Sequence, residues 1–392
     1  MFEPHVVTVE PADAGFDLTA LDTFRAKVAQ QVDEGRMPSG QYAFAIDGEL
    51  AVFEAYGDAT TSTRFNVFSA TKALIAGVIW QLIGEGRLDA STKLGEVIED
   101  FGVDGRTPEW MASITLEQLL THTGGFPFAP LGPDRWASRD ERRAAFRRWF
   151  ATTEPGTAFA YHPLSAHWVA AEMIETIEGR DYRRVVTERL IEPLGLRGFS
   201  LGLPPDQQDD IAELTLVGEA PSYEELAAVF GDFDTSLLDA VSPAALLEFN
   251  RPDVRAVGVP GGGGIGTAAD LALYYQALLH NPDGIWDPEV LADGTGRIRC
   301  TLPDVMKGVA SNRSLGLIIA GDDGMGAMRG MGPTVSPRTF GHNGAAGQIV
   351  WADPDTGVSF ALTTSGIDPH YLREGRRIAS LGAKAGVCRP AS

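Results

Sequence analysis

Apolar residues recur at helical spacing near the start of the chain and then change to alternation. Between Asp17 and Arg36 they follow a helical period, and Asp17 is placed to cap the N-terminus. Residues 41–46 and 49–56 alternate like strands around Asp47-Gly48, a dipeptide suited to a tight hairpin turn. The pattern predicts a helix followed by an antiparallel hairpin.

The far end of the chain repeats this arrangement. Residues 347–351 and 357–363 alternate as strands on either side of the turn-forming run at 353–357, and residues 373–385 have the period of a closing helix. Because hairpins with flanking helices lie at both ends, we expect one antiparallel sheet built from both termini and flanked by helices.

The middle of the chain has a different pattern. Its periodic segments are helical and are separated by long Gly/Pro loops; they span residues 73–85, 115–121, 139–150, 165–178, 182–191 and 221–230. We therefore predict an α/β protein of α+β type. Its discontinuous sheet domain covers residues 1–75 and 258–392, and a mainly helical domain is inserted over residues 76–257.

Composition narrows the possible partners. The 392 residues are 44% hydrophobic, as expected of a globular protein, and the formal net charge of −21 disfavours nucleic acid and anionic membranes. Neither a signal peptide nor an apolar run of about 18 residues is present, so we expect a cytoplasmic protein without a membrane span. Cys300 and Cys388 lack metal-binding spacing, and we expect neither metal nor cofactor. Monomer and homo-oligomer both stay open.

Ser69 and Lys72 are the first candidates for chemistry. They lie three residues apart at the start of an apolar helical run, so they share one helix face and the amine can reach the hydroxyl. A lysine activates a nucleophile only where its surroundings keep it partly neutral. Taken alone, so short a motif is more typical of a helix N-terminus with a surface lysine, and only the rest of the chain favours the catalytic interpretation.

Further motifs follow in a fixed order. They are Ser69-Ala70-Thr71-Lys72, the run at 119–125 (LLTHTGG), the run at 159–162 (FAYH), the glycine run leading to Asp270, and the run at 340–347 (FGHNGAAG). In order and spacing this set resembles the serine β-lactamase-like superfamily, nearest to class C β-lactamases and family VIII carboxylesterases. The resemblance implies the same two-part fold.

The resemblance also assigns roles. Ser69 would be the acyl-accepting nucleophile and Lys72 its hydrogen-bonded partner. Tyr161 matches the family tyrosine, and we expect neighbouring amines to depress its pKa so that it takes the serine proton and returns it to the leaving group. The backbone N–H groups of Ser69 and Ala345 would form the oxyanion hole.

Two departures from the family motifs concern the substrate. Pro163 stands where β-lactamases have an asparagine, so that side-chain amide is missing. His342-Asn343-Gly344 replaces Lys-Thr-Gly, so an imidazole that is mostly neutral near pH 7 takes the place of a permanent cation. Both changes favour neutral esters over β-lactams.

Several further residues are candidates for substrate binding or for structure. We expect substrate contacts from His342, Asn343, Gly344, His162, Phe126 and Phe128. His122 is interpreted as part of a structural turn. The glycine run at 261–264 lacks the lysine of a phosphate-binding loop, so we expect it to pack closely against other backbone, with Thr267 or Asp270 capping the next helix.

Together these features predict a carboxylesterase-type serine hydrolase that acts on a small-molecule ester through an acyl-enzyme on Ser69. An acyltransferase, or an amide or peptide hydrolase with at most weak β-lactamase activity, would use the same residues. A silent member that binds peptides or cell-wall fragments is the alternative outside enzymes.

Overall fold

A six-stranded antiparallel sheet joins the two ends of the chain in the computed structural model, which describes residues 2–222, 224, 225, 228 and 242–390. The strand order is β2–β1–β12–β11–β10–β9. The strands are β1 (Ser39–Ile46), β2 (Glu49–Gly57), β3 (Phe65–Asn66), β4 (Ser200–Leu201), β5 (Thr215–Leu216), β6 (Gly264–Gly266), β7 (Pro303–Asp304), β8 (Val309–Ala310), β9 (Ile318–Ile319), β10 (Phe340–Gly341), β11 (Ile349–Asp353), β12 (Val358–Thr364) and β13 (Gly366–Ile367). The predicted antiparallel sheet from both termini is confirmed.

Helices flank this sheet and fill the middle of the chain. Those in the described residues are α1 (Leu18–Asp33), α2 (Thr71–Gly84), α3 (Leu94–Val97), α4 (Pro108–Ser113), α5 (Leu116–Leu120), α6 (Arg139–Phe146), α7 (Ser165–Glu178), α8 (Tyr182–Val186), α9 (Pro243–Leu247), α10 (Pro252–Val257), α11 (Ala268–His280), α12 (Pro288–Gly296) and α13 (Tyr371–Ala385). A π-helical turn, Thr187–Ile191, extends α8. Most of the helix predicted over 221–230 lies outside the described residues.

Local chemistry explains the ends of the first elements. Asp17 caps α1 by accepting from the N–H groups of Thr19 and Ala20. In the β1–β2 hairpin, Asp47 and Gly48 both have positive φ, 51° and 80°, as a tight turn matching the strand twist requires.

Alternate residues of β1 enter two separate cores. Tyr42, Phe44 and Ile46 face a core formed with α1 and α13, whereas Ala43 and Ala45 face a larger core that contains α2, α7 and α11. The sheet is thus covered on both faces, with small residues on the side where α11 packs.

Helix α2 lies at the centre of the larger core. Every residue from Thr71 to Leu82 is buried, so this helix is enclosed on all sides rather than along one stripe. Its N-terminus follows β3, which forms a small antiparallel sheet with β6 and β4. This packing fixes the start of α2 rigidly.

The middle segment also contributes strands that the sequence pattern did not reveal. β4 pairs with β6, and β5 pairs in parallel with β13. Two-residue strands carry no readable alternation, which is why the pattern missed them. The domain boundaries at 75 and 257 stay a prediction. No helix in the described residues is long and apolar enough to span a membrane.

Replacing Phe360 with Ala should lower the free energy of unfolding by about 3–5 kcal/mol, because it leaves a cavity in the smaller core. Phe360 is fully buried, with its ring 4.7 Å from Phe44 and 5.4 Å from Trp351 between centroids. Urea unfolding measures the change. Val6→Ala, at an exposed position, should change the free energy of unfolding by less than about 0.5 kcal/mol. Similar losses in both variants would contradict the placement of Phe360 in the smaller core.

Candidate active site

Ser69 lies in a single 3₁₀ turn, Phe68–Ala70, that leads directly into α2. Phe68 has a φ of 46°, a left-handed conformation that a bulky side chain adopts only when its surroundings enforce it. The Thr71 hydroxyl secures the turn, because it donates to the Phe68 carbonyl (2.6 Å) and accepts from the Gly264 N–H (2.9 Å). The serine is therefore held on a strained, braced backbone.

The amine of Lys72 is fully buried next to Ser69. Nζ lies 3.1 Å from Ser69 Oγ and donates to the carbonyls of Pro163 (2.8 Å) and Gly261 (2.5 Å). A neutral amine has two N–H groups and one lone pair. The two carbonyls use both N–H groups, so the lone pair is left for the serine hydroxyl.

Electrostatics favours that neutral form. Burial, and after it the guanidinium of Arg313, lowers the pKa of Lys72 well below its ordinary value of 10.5. No carboxylate of the described residues lies within 4.0 Å of the amine. Lys72 is thus more readily neutral than an exposed lysine, and its lone pair can accept the proton of Ser69.

Tyr161 approaches the same serine from the other side. Its hydroxyl donates to Ser69 Oγ at 3.0 Å. Burial raises the pKa of Tyr161, although Arg313 and the hydrogen bond to Ser69 act in the opposite direction. The expectation of a depressed tyrosine pKa is therefore wrong, because desolvation of the phenolate outweighs the nearby cation. In the resting site Tyr161 is a hydroxyl donor.

Two histidines brace Tyr161 from behind. The ring of His122 lies 4.7 Å from that of Tyr161, and its Nδ1 accepts from the backbone N–H of His162 (3.2 Å). His122 has a φ of 61°, and the backbone groups of Ala160 and Phe126 occupy both ring nitrogens of His162. This geometry agrees with the interpretation of His122 as part of a structural turn.

The burial of His162 and Phe126 does not fit their predicted contact with substrate. His162 is fully buried, and Phe126 is 1% exposed with its ring edge-on to His162. Both side chains belong to the packed interior instead, because the ring of His162 also lies 5.7 Å from that of His122, which in turn contacts Tyr161.

The segment His342-Asn343-Gly344 runs beside the serine. A Cβ on Gly344 would lie 2.3 Å from the carbonyl oxygen of Val67, so only glycine permits this approach. The Asn343 side chain donates to Gly330 (2.7 Å) and accepts from Val350 N–H (3.0 Å). Because both ends of its amide are occupied, Asn343 has a structural role, and the predicted substrate contact does not fit.

Ala345 follows that segment and is partly exposed. Within the described residues its backbone N–H has no hydrogen-bond partner. A free N–H beside a nucleophile can donate to an oxyanion. The predicted role of Ala345 in an oxyanion hole is thus compatible with its surroundings.

Arg313 is the site residue that the sequence did not suggest. Its Nη1 lies 3.3 Å from His342 Nε2, and its guanidinium carbon lies 5.3 Å from the centre of the Tyr161 ring. The residue sits in an irregular stretch before β9, and no motif or period marks it. Only the tertiary fold brings it to the site.

The glycine run holds the other side of Lys72. A Cβ on Gly263 would lie 2.4 Å from the Val259 nitrogen, which confirms a loop packed against other backbone. Thr267 and Asp270 cap α11 reciprocally, also as predicted. The additional function of the run, to present the Gly261 carbonyl to Lys72, was not predicted.

An apolar groove of about 170 Å³ opens next to Pro163. Phe128, which is 50% exposed, lines it together with Leu131, Leu164 and Trp168. Of the predicted aromatic substrate contacts, Phe128 is thus the one whose placement suits the role.

Comparison with known proteins gives consistent matches. The family model described as Beta-lactamase matches residues 24–383. The chain is 28% identical to "Esterase/beta-lactamase LipL" of Mycobacterium tuberculosis, over 83% of this chain and 77% of that protein. It is 25% identical to "D-alanyl-D-alanine-carboxypeptidase/endopeptidase AmpH" of Escherichia coli K12, over 52% and 55%. A crystal structure of a family VIII carboxylesterase superposes with a TM-score of 0.75 at 22% identity, covering 97% of this chain and 99% of that one.

Gly344→Ala should destabilise the protein by about 1–3 kcal/mol, because the new methyl group overlaps the Val67 carbonyl. It should also displace the segment before Ser69 and slow labelling of that serine by a fluorophosphonate. Gly375→Ala is the matched control: its Cβ meets no atom within 4 Å inside α13, so it should stabilise by up to about 1 kcal/mol. Unchanged labelling in Gly344→Ala would contradict the close approach.

Proposed function

The chain belongs to the Beta-lactamase family, and from that membership we propose that it hydrolyses carboxylic esters through an acyl-enzyme on Ser69. The hydrolase family, with its β-lactamase-like fold, is established by the match over residues 24–383. The choice of ester as substrate and the roles of the individual residues are our proposal.

One observation carries the proposal: Ser69 Oγ lies between a buried amine and a phenol hydroxyl. Lys72 Nζ is 3.1 Å away and Tyr161 Oη is 3.0 Å away. The hydroxyl can donate its proton to the neutral amine while it accepts a hydrogen bond from the tyrosine. Such a serine is an activated nucleophile.

The first half-reaction then follows. Ser69 Oγ attacks the ester carbonyl as its proton passes to Lys72, whose ammonium form keeps the Pro163 and Gly261 carbonyls as acceptors. The carbonyl oxygen of the ester becomes an oxyanion and accepts hydrogen bonds from the backbone N–H groups of Ser69 and Ala345. When the C–O bond breaks, the alkoxide takes a proton from Tyr161, and Lys72 restores the tyrosine proton.

Water completes the cycle. It gives a proton to the restored amine and attacks the acyl carbonyl. When the bond to Ser69 Oγ breaks, the ammonium group of Lys72 returns that proton to the serine, and the acid is released. Because no step needs a group other than these side chains and water, the proposal names no cofactor. The groove lined by Phe128 would hold an apolar part of the ester.

Two observations favour an ester over an amide. One relative carries the name esterase, and Pro163 offers no side-chain amide to an acylamino group. Amide or peptide hydrolysis is the second candidate, supported by the name of the AmpH relative. Comparing an ester with the matching peptide under the same conditions, and adding alcohol acceptors to detect acyl transfer, distinguishes the candidates.

Ser69→Ala should reduce hydrolysis of a short-chain p-nitrophenyl ester by about 1,000-fold or more, because no acyl-enzyme can form. The assay is release of p-nitrophenol by the purified variant. Fluorophosphonate labelling, located by peptide mass spectrometry, should disappear in parallel.

Ser113→Ala is the control for this experiment. Its hydroxyl lies on the surface of α4 and bonds only to the Trp110 carbonyl, so activity and labelling should match the wild type. Undiminished hydrolysis by Ser69→Ala would overturn the mechanism.

The pH dependence of kcat/KM should follow the ionisation of Lys72. Because its pKa is lowered, the amine is present above that pKa and is lost as pH falls through it, so activity should fall on the acid side. Tyr161, whose pKa is raised, should keep its proton beyond pH 10.0, where an ordinary tyrosine ionises. Initial rates with a neutral ester, from acid to alkaline pH, measure both limbs.

Tyr161→Phe tests the assignment of the acid limb. It retains the ring but removes the hydroxyl, so the plateau should drop by about 100-fold while the acid limb persists. An acid limb near the ordinary lysine value of 10.5 in the wild type would show that the amine is not kept neutral.

A further inference from the structure

Gln348 is a fully buried polar side chain that takes no part in the proposed proton transfers. It is 0% exposed. Its Nε2 donates to the Thr364 carbonyl (2.8 Å), and its Oε1 accepts from the Thr364 N–H (3.0 Å). One side-chain amide thus occupies both backbone groups of a single residue on β12.

This amide takes the place of a neighbouring strand. The pairing of β11 with β12 ends at Ile349 opposite Leu362, before it reaches Thr364. On its other side Thr364 pairs with Gly40 of β1. Buried backbone groups need hydrogen-bond partners, and Gln348 supplies them where the chain has already left the sheet. The turn before β11 is therefore tied to an interior strand.

That turn carries the proposed oxyanion donor, Ala345. The Gly344 N–H donates to the Gln348 carbonyl (3.2 Å), which closes the turn. A Cβ on Gly344 would lie 2.9 Å from the Cβ and Cγ of Gln348, so the stem of the glutamine also packs against it. Ala346 has a φ of 57°, a left-handed conformation that persists only where the surroundings enforce it. Gln348 contributes to that enforcement through its backbone, its stem and its amide.

The position of this turn matters for the reaction. A backbone N–H cannot be re-aimed by rotating a side chain, so the turn alone sets where the Ala345 N–H points. In the part of the chain that the structure describes, that N–H has no hydrogen-bond partner to hold it. An oxyanion donor acts at about 2.7–3.1 Å. A displacement of about 1 Å can slow a reaction by about 100-fold.

We propose that Gln348 is a positioning residue for the oxyanion hole: its amide, bound to Thr364, holds the Ala345 N–H where the oxyanion forms. This inference rests on the proposed hydrolysis at Ser69 and adds a residue that touches neither the substrate nor the nucleophile. Because an oxyanion forms in both half-reactions, a displaced N–H slows acylation and deacylation alike. The loss therefore reaches kcat whichever half-reaction limits the rate.

The test compares 4-nitrophenyl butanoate with its thiono analogue, in which sulfur replaces the carbonyl oxygen. Sulfur is a weak hydrogen-bond acceptor, so the thiono ester gains little from the Ala345 N–H. Both substrates need Ser69, Lys72 and Tyr161 in the same way. The readout is the ratio of kcat/KM for the oxygen ester to that for the thiono ester. A general loss of structure lowers both rates and leaves this ratio unchanged.

The wild type should prefer the oxygen ester. Gln348→Met has a side chain of the same length but loses both hydrogen bonds to Thr364. The ratio should then fall by about 10- to 100-fold, because the N–H is displaced rather than deleted. With the oxygen ester, kcat should fall while KM changes little.

Gln276→Met is the matched control. Gln276 is 1% exposed and donates to the carbonyls of Ala45 and Gly357, at the end of β12 opposite Thr364. Urea unfolding should show a loss of stability comparable with that of Gln348→Met. The ratio for the two esters should stay at the wild-type value.

Gln348→Asn is a second variant that keeps an amide in the core. Its side chain is one methylene shorter, so either the bonds to Thr364 are lost or the turn is drawn toward β12. Since the Ala345 N–H moves in both cases, the ratio should fall here too. If Gln348→Met does not fold, an unchanged ratio in Gln348→Asn overturns the inference.

Three further results would overturn the positioning role. They are the absence of a preference for the oxygen ester in the wild type, a wild-type ratio in folded Gln348→Met, and an equal fall of the ratio in Gln276→Met. In each case ester hydrolysis that is abolished by Ser69→Ala leaves the proposed function intact. Failure of the proposed function would appear in Ser69→Ala and not in these ratios.

Discussion

The burial of the Lys72 amine is the interaction on which the rest of the site depends. As an ammonium ion it would pay a desolvation cost of several kcal/mol with no carboxylate in reach. As a neutral amine it is satisfied by two carbonyls, from Pro163 and Gly261, which lie 91 and 189 residues further along the chain. The helical middle and the glycine loop must both be in place before the amine can hold its lone pair toward Ser69.

Features that depend on neighbouring residues could be predicted from the sequence. The Asp17 cap, the Asp47-Gly48 turn and the Thr267–Asp270 cap each involve groups within three residues of one another, and the structure has all of them. The long strands also agree to within two residues, because alternation over five or more positions is readable. The proximity of Ser69, Lys72 and Tyr161 was expected from the order of the motifs.

What the sequence could not provide depends on burial and on distant contacts. The pKa of Tyr161 is raised because the fold encloses it, and no local pattern encodes that enclosure. Asn343 was predicted to contact substrate, but its side-chain amide is hydrogen-bonded to the Gly330 carbonyl and the Val350 N–H, which are distant in sequence. Arg313 reaches Tyr161 from a stretch without period or motif. The charge of an active site is therefore a property of the assembled surface, and one motif position, such as His342, is a poor guide to it.

The pairing of β1 with β12 has a consequence for biosynthesis. β1 and β2 are made early, but their partner strand comes near the end of the chain; Tyr56, for example, donates to a carbonyl 307 residues later. Until β12 leaves the ribosome, β1 has an open edge, although the helices that enclose α2 have already been made. Non-local pairing is slow, and open strand edges promote aggregation. The β1 edge is thus exposed during most of the synthesis of the chain, which makes it the surface that a chaperone would have to shield.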